Sequence, residues 1–313
     1  MIAAVPQVSV VIPAYNAART LPTTLDSVLN QGSAVCEVLV VDDGSQDDSA
    51  ALLTQRFPTV RVIRQDNAGV AAARSRGVEL ARGDWIAFLD ADDLWLPGKL
   101  NAQLEALAKQ PACRLAYTAW AVWPSEDARP EPRWLQDVLA SADDPSRWSG
   151  PSGWIYPELL LGCEVWTSTV LMERELFVEL GGFDPKLTIG EDYDLWLRAS
   201  RVTPIQHLPR PYALYRSHAG SLTRRAPTRN FQGEVLQAAV ARWGLEGPDG
   251  RRADPGAVKR ALARSWLDFA EGNLRSGHGG KARQASWEAL RQEPFQAKAW
   301  RLLLQSVLPR RSA

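Results

Sequence analysis

The sequence predicts an α/β fold, a doubly wound sheet followed by an all-helical extension, on three observations. From residue 8 to about 110, four short apolar runs, VSVVIP, EVLVVD, VRVIRQ and DWIAFLD, alternate with helical patterns over residues 21–31, 49–57 and 70–81. Near-continuous apolar strands alternating with helices are what a parallel sheet covered on both faces requires. Each run also ends in a polar turn, and beyond about residue 227 the pattern is helical to the end.

Taken in order, Asp47 and Asp48 mark the start of the second helix, and Pro97 before GKLNAQLEAL suits a first helical turn. Residues 114–157 scatter Trp120, Trp123, Trp134, Trp148 and Trp154 among Pro, Ser and Asp, and read as a long functional loop. Order resumes at VWTSTVLME, with a helix over 174–180 closed by Gly181 and Gly182 and another over 191–199. PIQHLP and YALYRSH follow as two short strands. The segment FAEGNLRSGHGGKARQASWEALRQEPFQAKAW resembles one tetratricopeptide-like helix pair. A single copy falls short of the several that a solenoid needs, so it reads as a helical cap.

A chain of 313 residues, 45% hydrophobic, has ample core for such a fold. Its 36 basic and 36 acidic residues cancel, which argues against nucleic acid as a partner. The charge is uneven, however: residues 1–110 carry 9 Lys or Arg against 13 Asp or Glu, and residues 230–313 carry 14 against 8. The basic tail either meets anionic lipid or forms a solvated helical surface. Cys36, Cys113 and Cys163 lack metal or disulfide spacing and read as core filler in a reduced compartment. No run approaches the roughly 18 apolar residues of a spanning helix and no leader pattern opens the chain, so the expectation is a cytoplasmic protein, at most peripheral at the inner face of a membrane.

In open α/β sheets ligands bind outside the carboxyl ends of the strands, where turns splay and helix N-termini present free N–H groups. The four polar turns fall there: PAYN with Pro13 and Asn16, then Asp42 and Asp43, then QDNAG with Asn67 and Gly69, then LDADD at 89–93. Asp90 and Asp92 are two apart, and extended geometry would point both carboxylates the same way. That pair raises at least one pKa unless a cation joins it, and Mg²⁺ or Mn²⁺ suits one or two carboxylates completed by substrate phosphate. Asp42 suits a base or ribose edge with Asn67 nearby, Asp43 a turn cap, and Arg74 a cation facing phosphate or Asp90. Glu191 and Asp192 follow Gly190 in a first helical turn, where negative charge is favoured whatever its chemistry. Trp196, one turn on, is either an acceptor platform or core.

VSVVIPAYNAARTLPTTLDSVLNQ, EVLVVDDGSQDDS, NAGVAAARSRGVELARGDWIAFLDADDLW and GGFDPKLTIGEDYDLWLR together resemble the family 2 glycosyltransferases over roughly residues 7–220. The resemblance implies the GT-A fold, a Rossmann-like doubly wound mixed sheet, over residues 1–226. Its nucleotide half would span about 7–110 and its acceptor half about 111–226, with 227–313 as the helical extension. It implies nucleotide contacts from Pro13, Tyr15, Asn16, Asp42, Asn67, Gly69, Arg74, Asp90 and Ala91, and a divalent metal, Mn²⁺ or Mg²⁺, on Asp92, Asp90 and His218. It further implies Asp192 as general base, with Glu191 beside it in an acceptor or structural role, and inversion at the anomeric carbon. The donor would be a nucleotide sugar, most often a uridine diphosphate sugar, and the acceptor a glycan or lipid-linked precursor of the cell envelope. The tryptophans from Trp120 to Trp166 would then either stack an acceptor sugar or pack a core.

Two other enzyme classes fit less well, since PAYNAART holds no glycine where a nucleotidyltransferase or a dinucleotide oxidoreductase needs a glycine-rich turn. The remaining alternative is a non-catalytic nucleotide-sugar-binding or scaffold protein on the same fold. Its expected mark is loss of Asp92 or Asp192, and both are present.

Overall fold

The computed structural model describes residues 6–124, 127, 129–218 and 228–307. They fall into two compact units, residues up to 155 together with 164–218, and residues 156–163 together with those from 228 onward.

The first half of the first unit alternates β1 (Val8–Ala14), α1 (Leu21–Leu29), β2 (Val35–Asp42), α2 (Ser49–Arg56), β3 (Arg61–Arg64), α3 (Val70–Leu80) and β4 (Trp85–Phe88). It continues with β5 (Leu94–Trp95), α4 (Lys99–Lys109), β6 (Leu115–Pro124) and α5 (Pro132–Ala140). After α6 (Tyr156–Leu159), which belongs to the second unit, come a 3₁₀ turn at Thr167–Thr169, β7 (Leu171–Glu173), α7 (Arg174–Glu179), α8 (Glu191–Ala199) and β8 (Ile205–Ser217). The eight strands form one sheet in the order β3-β2-β1-β4-β7-β6-β8-β5. β3, β2, β1 and β4 are parallel, β7 runs antiparallel to β4 and β6, and β8 is parallel to β6 and antiparallel to β5. A doubly wound parallel half therefore continues into a mixed half.

Every residue of β1 is buried, which only a strand covered on both faces tolerates. Val8, Val10 and Ile12 join Val38 and Val40 of β2 and Leu21, Leu25 and Val28 of α1 in one cluster. On the other face Gly77 brings α3 against β1 so closely that an added Cβ would lie 2.3 Å from Val11 Cγ1. Gly77→Ala is expected to destabilise the fold by about 1–3 kcal/mol, as overpacking of a filled site does. Thermal melting checks this, and an unchanged melting temperature would mean that the α3–β1 contact is not tight.

Four sequence expectations change. The supposed loop over 114–157 holds a ten-residue strand, β6, paired to β8 along its length. Leu115 to Ala119 are all buried, and only from there do buried Ala121 and Trp123 alternate with half-buried Trp120 and exposed Val122, a short period-2 stretch that the Pro-, Ser- and Asp-rich segment behind it concealed. PIQHLP and YALYRSH form one strand whose register slips where Thr118 pairs with Leu208 and Ala119 with Pro211. Pro209 and Pro211 have no N–H to give the ladder there, and a bulge absorbs the defect. Pro97 lies outside α4, which starts after Gly98 at φ 84°. Of the cysteines only Cys113 is buried; Cys36 and Cys163 are exposed and are not core filler.

The second unit holds α9 (Phe231–Trp243), α10 (Pro255–Arg275), α11 (Gly279–Gln292) and α12 (Ala297–Val307), of which α9 and α10 carry side-chain N-caps. Asn230 accepts the Gly233 N–H and Asp254 the Ala257 N–H. Ala270, Ala285, Ala289 and Ala299 let α10, α11 and α12 approach closely around Leu267, Phe269, Leu290 and Leu302. Among the described residues no helix is long and apolar enough to cross a membrane.

Candidate functional site

The four strand-end turns are laced to one another. Asn16, at φ 51°, donates its backbone N–H to Ser45 Oγ (2.9 Å) and accepts the Gln46 N–H on Oδ1 (2.8 Å). Asp43 does not cap its own turn: its carboxylate accepts from Gln65 Nε2 and from the Ala68 and Gly69 N–H groups at 2.8–2.9 Å, shaping the third turn from the second. Gly44 permits this approach, since a Cβ there would meet Asn67 N at 3.0 Å. The fourth turn is held to the first, as Thr20 and Thr24 donate their hydroxyls to the Ala91 carbonyl at 2.8 and 3.0 Å. Pro13 is buried beneath this surface, and Tyr15, Asn16, Asn67 and Gly69 are exposed on it.

Asp42, at the tip of β2, is fully buried. Its Oδ1 accepts the Ser45 N–H (2.8 Å) while its Oδ2 has no hydrogen-bond partner; Arg64 Nε stands 3.7 Å away. A buried acceptor left open in this way is costly unless a ligand completes it.

Asp90 and Asp92 do not sit in extended chain. The Asp93 N–H bonds to the Asp90 carbonyl (3.1 Å) and closes a turn, so the two carboxylates take different partners. Asp90 Oδ1 accepts from Arg74 (2.5 Å), and Asp92 Oδ2 lies 2.9 Å from His218 Nε2. Burial, with the negative charge of Asp90, pushes the Asp92 carboxyl above its usual range even against His218, so local positive charge is in deficit. No described group hydrogen-bonds to Asp90 Oδ2. Among the described residues no three His, Cys, Asp or Glu side chains converge as a ready-made metal cage. One or two carboxylates and a histidine beside an open face fit Mg²⁺ or Mn²⁺, which take the rest of their shell from water and phosphate.

Arg74 is the hub. Its guanidinium, buried against the Phe183 ring at 5.7 Å, reaches Asp90 on one side and Glu191 Oε1 on the other (2.7 Å). Burial disfavours the charge on Arg74, but Asp90, Glu191 and Asp192 outweigh it and raise its pKa. Asp192, half-buried in the first turn of α8, accepts the Thr167 hydroxyl on Oδ2 at 2.8 Å. The next residue, Ser168, donates its hydroxyl to Asp93 Oδ2 (2.5 Å) and accepts the Asp90 N–H (3.1 Å). The Thr167–Thr169 turn thus ties Asp192 to the tip of β4. It is fixed from behind by Trp95 Nε1 on the Ser168 carbonyl (2.6 Å) and Gln103 Nε2 on the Thr169 carbonyl (2.9 Å).

Burial pushes Glu191 up to about 7, with Arg74 opposing the shift and Asp192 adding to it. Between pH about 4.5 and 7 the unfolded chain has released a proton that folded Glu191 retains, so this group's contribution to stability falls as pH rises through that window. Glu191→Gln is expected to remove about 3 kcal/mol of that slope. Urea unfolding at stepped pH checks it, and parallel slopes in the two proteins would clear Glu191 as the source.

Sequence reading missed Asp93, Thr167, Ser168 and Arg216. Asp93 is 1% exposed and accepts from Ser168, Trp166 Nε1 (3.2 Å) and the Arg216 N–H (3.0 Å), holding β8 to the fourth turn. The only local signal was the third Asp of LDADD. Trp196 is fully buried, which overturns its reading as an acceptor platform. Trp166, half-buried, stacks between Tyr215 (4.3 Å) and Trp120 (6.3 Å) one residue before Thr167.

Residues 9–115 match the family model described as glycosyl transferase family 2. An uncharacterized protein of Mycobacterium tuberculosis (strain CDC 1551 / Oshkosh) is 30% identical over 269 residues, 84% of this chain and 82% of that protein. The amylovoran biosynthesis glycosyltransferase AmsB of Erwinia amylovora is 34% identical over 206 residues, 62% of this chain and 64% of that one. Among solved structures, S. aureus TarS 1-349 in complex with UDP-GlcNAc has a TM-score of 0.62 over 91% of this chain and 81% of its own, at 15% identity, a likeness of fold alone. The mixed sheet is that of the GT-A fold with a helical C-terminal part, and with the family match and these relatives the chain belongs to glycosyl transferase family 2.

Proposed function

We propose that the chain transfers a sugar from a uridine diphosphate sugar to a hydroxyl of a polysaccharide or lipid-linked glycan, with inversion at the anomeric carbon. The observation that carries the reading is the Thr167–Ser168 link, which ties a base-competent carboxylate, Asp192, to the acidic tip of β4 at the carboxyl end of the sheet. The unpartnered Asp42 Oδ2 and the exposed Tyr15, Asn16 and Asn67 supply the nucleoside end. Pro13, Gly69 and Ala91 shape the backbone around it. The complex of TarS with UDP-GlcNAc and the amylovoran biosynthesis role of AmsB support the donor and product classes.

In this reading Asp92, with His218 and Asp90, would hold a Mn²⁺ or Mg²⁺ ion. Bound there, the ion supplies positive charge for the diphosphate leaving group. Arg74 sets the orientation of Asp90 and screens it from Glu191. Asp192 Oδ1 or Oδ2 takes the acceptor's hydroxyl proton while that oxygen bonds to the anomeric carbon. The carbon–diphosphate bond breaks on the opposite face, and the diphosphate departs with the electron pair. Glu191 keeps Arg74 in place.

Calorimetric titration with a panel of nucleoside diphosphates, with and without Mn²⁺, tests the donor site. Uridine diphosphate is expected to bind most tightly and to gain at least about tenfold from the metal, a difference of about 1.4 kcal/mol. Binding indifferent to base and metal would remove the reading.

A further inference from the structure

We infer that the outer face of α11 and α12 is a docking surface for an anionic lipid bilayer. α12 is apolar on two sides. Ala299 and Leu302 are buried against the helical core, while Trp300, Leu304 and Val307, at i, i+4 and i+7, form a second stripe 46%, 63% and 55% exposed. Phe295, in the turn before α12, is 98% exposed, and Trp287 of α11 meets the Trp300 ring edge-on at 6.0 Å. Water-facing Trp, Phe, Leu and Val gathered over one helix pair are an apolar patch that needs a cover.

The charges around the patch select the cover. Arg283, Trp287 and Arg291 are spaced four apart along α11, so two guanidinium groups bracket the indole on one exposed face. Over residues 279–307 Lys281, Arg283, Arg291, Lys298 and Arg301 stand against Glu288 and Glu293; Arg291 pairs with Glu288 (2.6 Å) and Lys298 with Glu271 of α10 (2.9 Å), so Lys281, Arg283 and Arg301 carry the positive excess. Arg310 and Arg311 follow in the sequence. A symmetric contact between two copies would set these arginines against each other, a like-charge cost that an interface avoids. An anionic surface reverses the sign of that term. Aromatic rings at headgroup depth flanked by arginine and lysine are the composition of an interfacial helix. The inference stands apart from the sugar chemistry, since none of these residues belongs to the site described above.

Co-sedimentation of the full chain with vesicles of phosphatidylcholine alone and of phosphatidylcholine mixed with phosphatidylglycerol tests it. The expected result is partition onto the anionic vesicles only, weakened by added salt. Each arginine at such a surface is worth about fivefold, so Arg283→Glu with Arg291→Glu should lower partition by at least about 25-fold. Trp300→Glu with Leu304→Glu should abolish it. Because all four side chains are exposed, circular dichroism and melting should match the parent. Equal partition onto neutral and anionic vesicles overturns the inference, as does no loss in either double variant. So does a concentration-dependent dimer, removed by Trp300→Glu with Leu304→Glu, in a protein that ignores vesicles; a second copy would then be the cover.

Discussion

Asp192→Asn is expected to lower kcat for sugar transfer by about 10²- to 10⁴-fold and to leave nucleotide affinity nearly unchanged. The substitution keeps the size of the side chain and an oxygen able to accept the Thr167 hydroxyl, so the first turn of α8 and its link to the tip of β4 should persist. What disappears is the proton acceptor. Asp192 is suited to that role by position, in the first turn of α8, which starts after Gly190 at φ 83°. Initial rates of diphosphate release against acceptor concentration give kcat, and calorimetry gives the nucleotide affinity. Parallel loss of both would move Asp192 from base to scaffold.

Arg74→Met is expected to destabilise the protein by about 3–5 kcal/mol, because it deletes the buried cation that links Glu191 to the half-buried Asp90 and loses the guanidinium contact with the Phe183 ring. For a domain of this size that is a fall of roughly 10 °C in melting temperature. Pairing it with Glu191→Gln should cost little more, since Glu191 takes up a proton readily once Arg74 no longer opposes its upward shift. A double-mutant cycle reads the difference from Glu191→Gln alone as a coupling energy between the two positions. If Arg74→Met melts like the parent, the Asp90–Arg74–Glu191 chain is not what holds α8 to the end of β4.

The part of the fold that the sequence made legible is the part built from local signals. The alternation of apolar strands and helices up to residue 110, the helix at 191–199 and the helical C-terminus each carry their period within a few residues. The strand-end turns were legible because Asp, Asn and Gly mark sharp reversals, and their register follows from the parallel sheet. β6 was not, hidden ahead of the Pro-, Ser- and Asp-rich stretch, and β8 was read as two strands because Pro209 and Pro211 interrupt it where a bulge joins the halves. Long-range contact also explains the missed residues. Asp93, Ser168 and Thr167 gain their roles from hydrogen bonds spanning 75 and 25 positions, and the string TST inside an apolar run carries no trace of them. The reading of Asp90 and Asp92 as extended neighbours failed because the turn that closes on Asp93 begins where β4 ends. Trp196 was misjudged for a simpler reason: Tyr193, Leu195, Leu197 and Ala199 around it on α8 are also buried, and the helix faces the core through its middle.

The central claim is that Asp92 at the end of β4 and the three turns beside it seat one metal-bound nucleoside diphosphate. Crystals grown with uridine diphosphate and Mn²⁺, measured at a wavelength where manganese scatters anomalously, test it most directly. The account expects a single strong anomalous peak against Asp92, with the uracil ring over the turns that carry Tyr15, Asp42 and Asn67. A nucleotide bound away from those turns, or one seated on them with no metal density near Asp92 at saturating Mn²⁺, would contradict it.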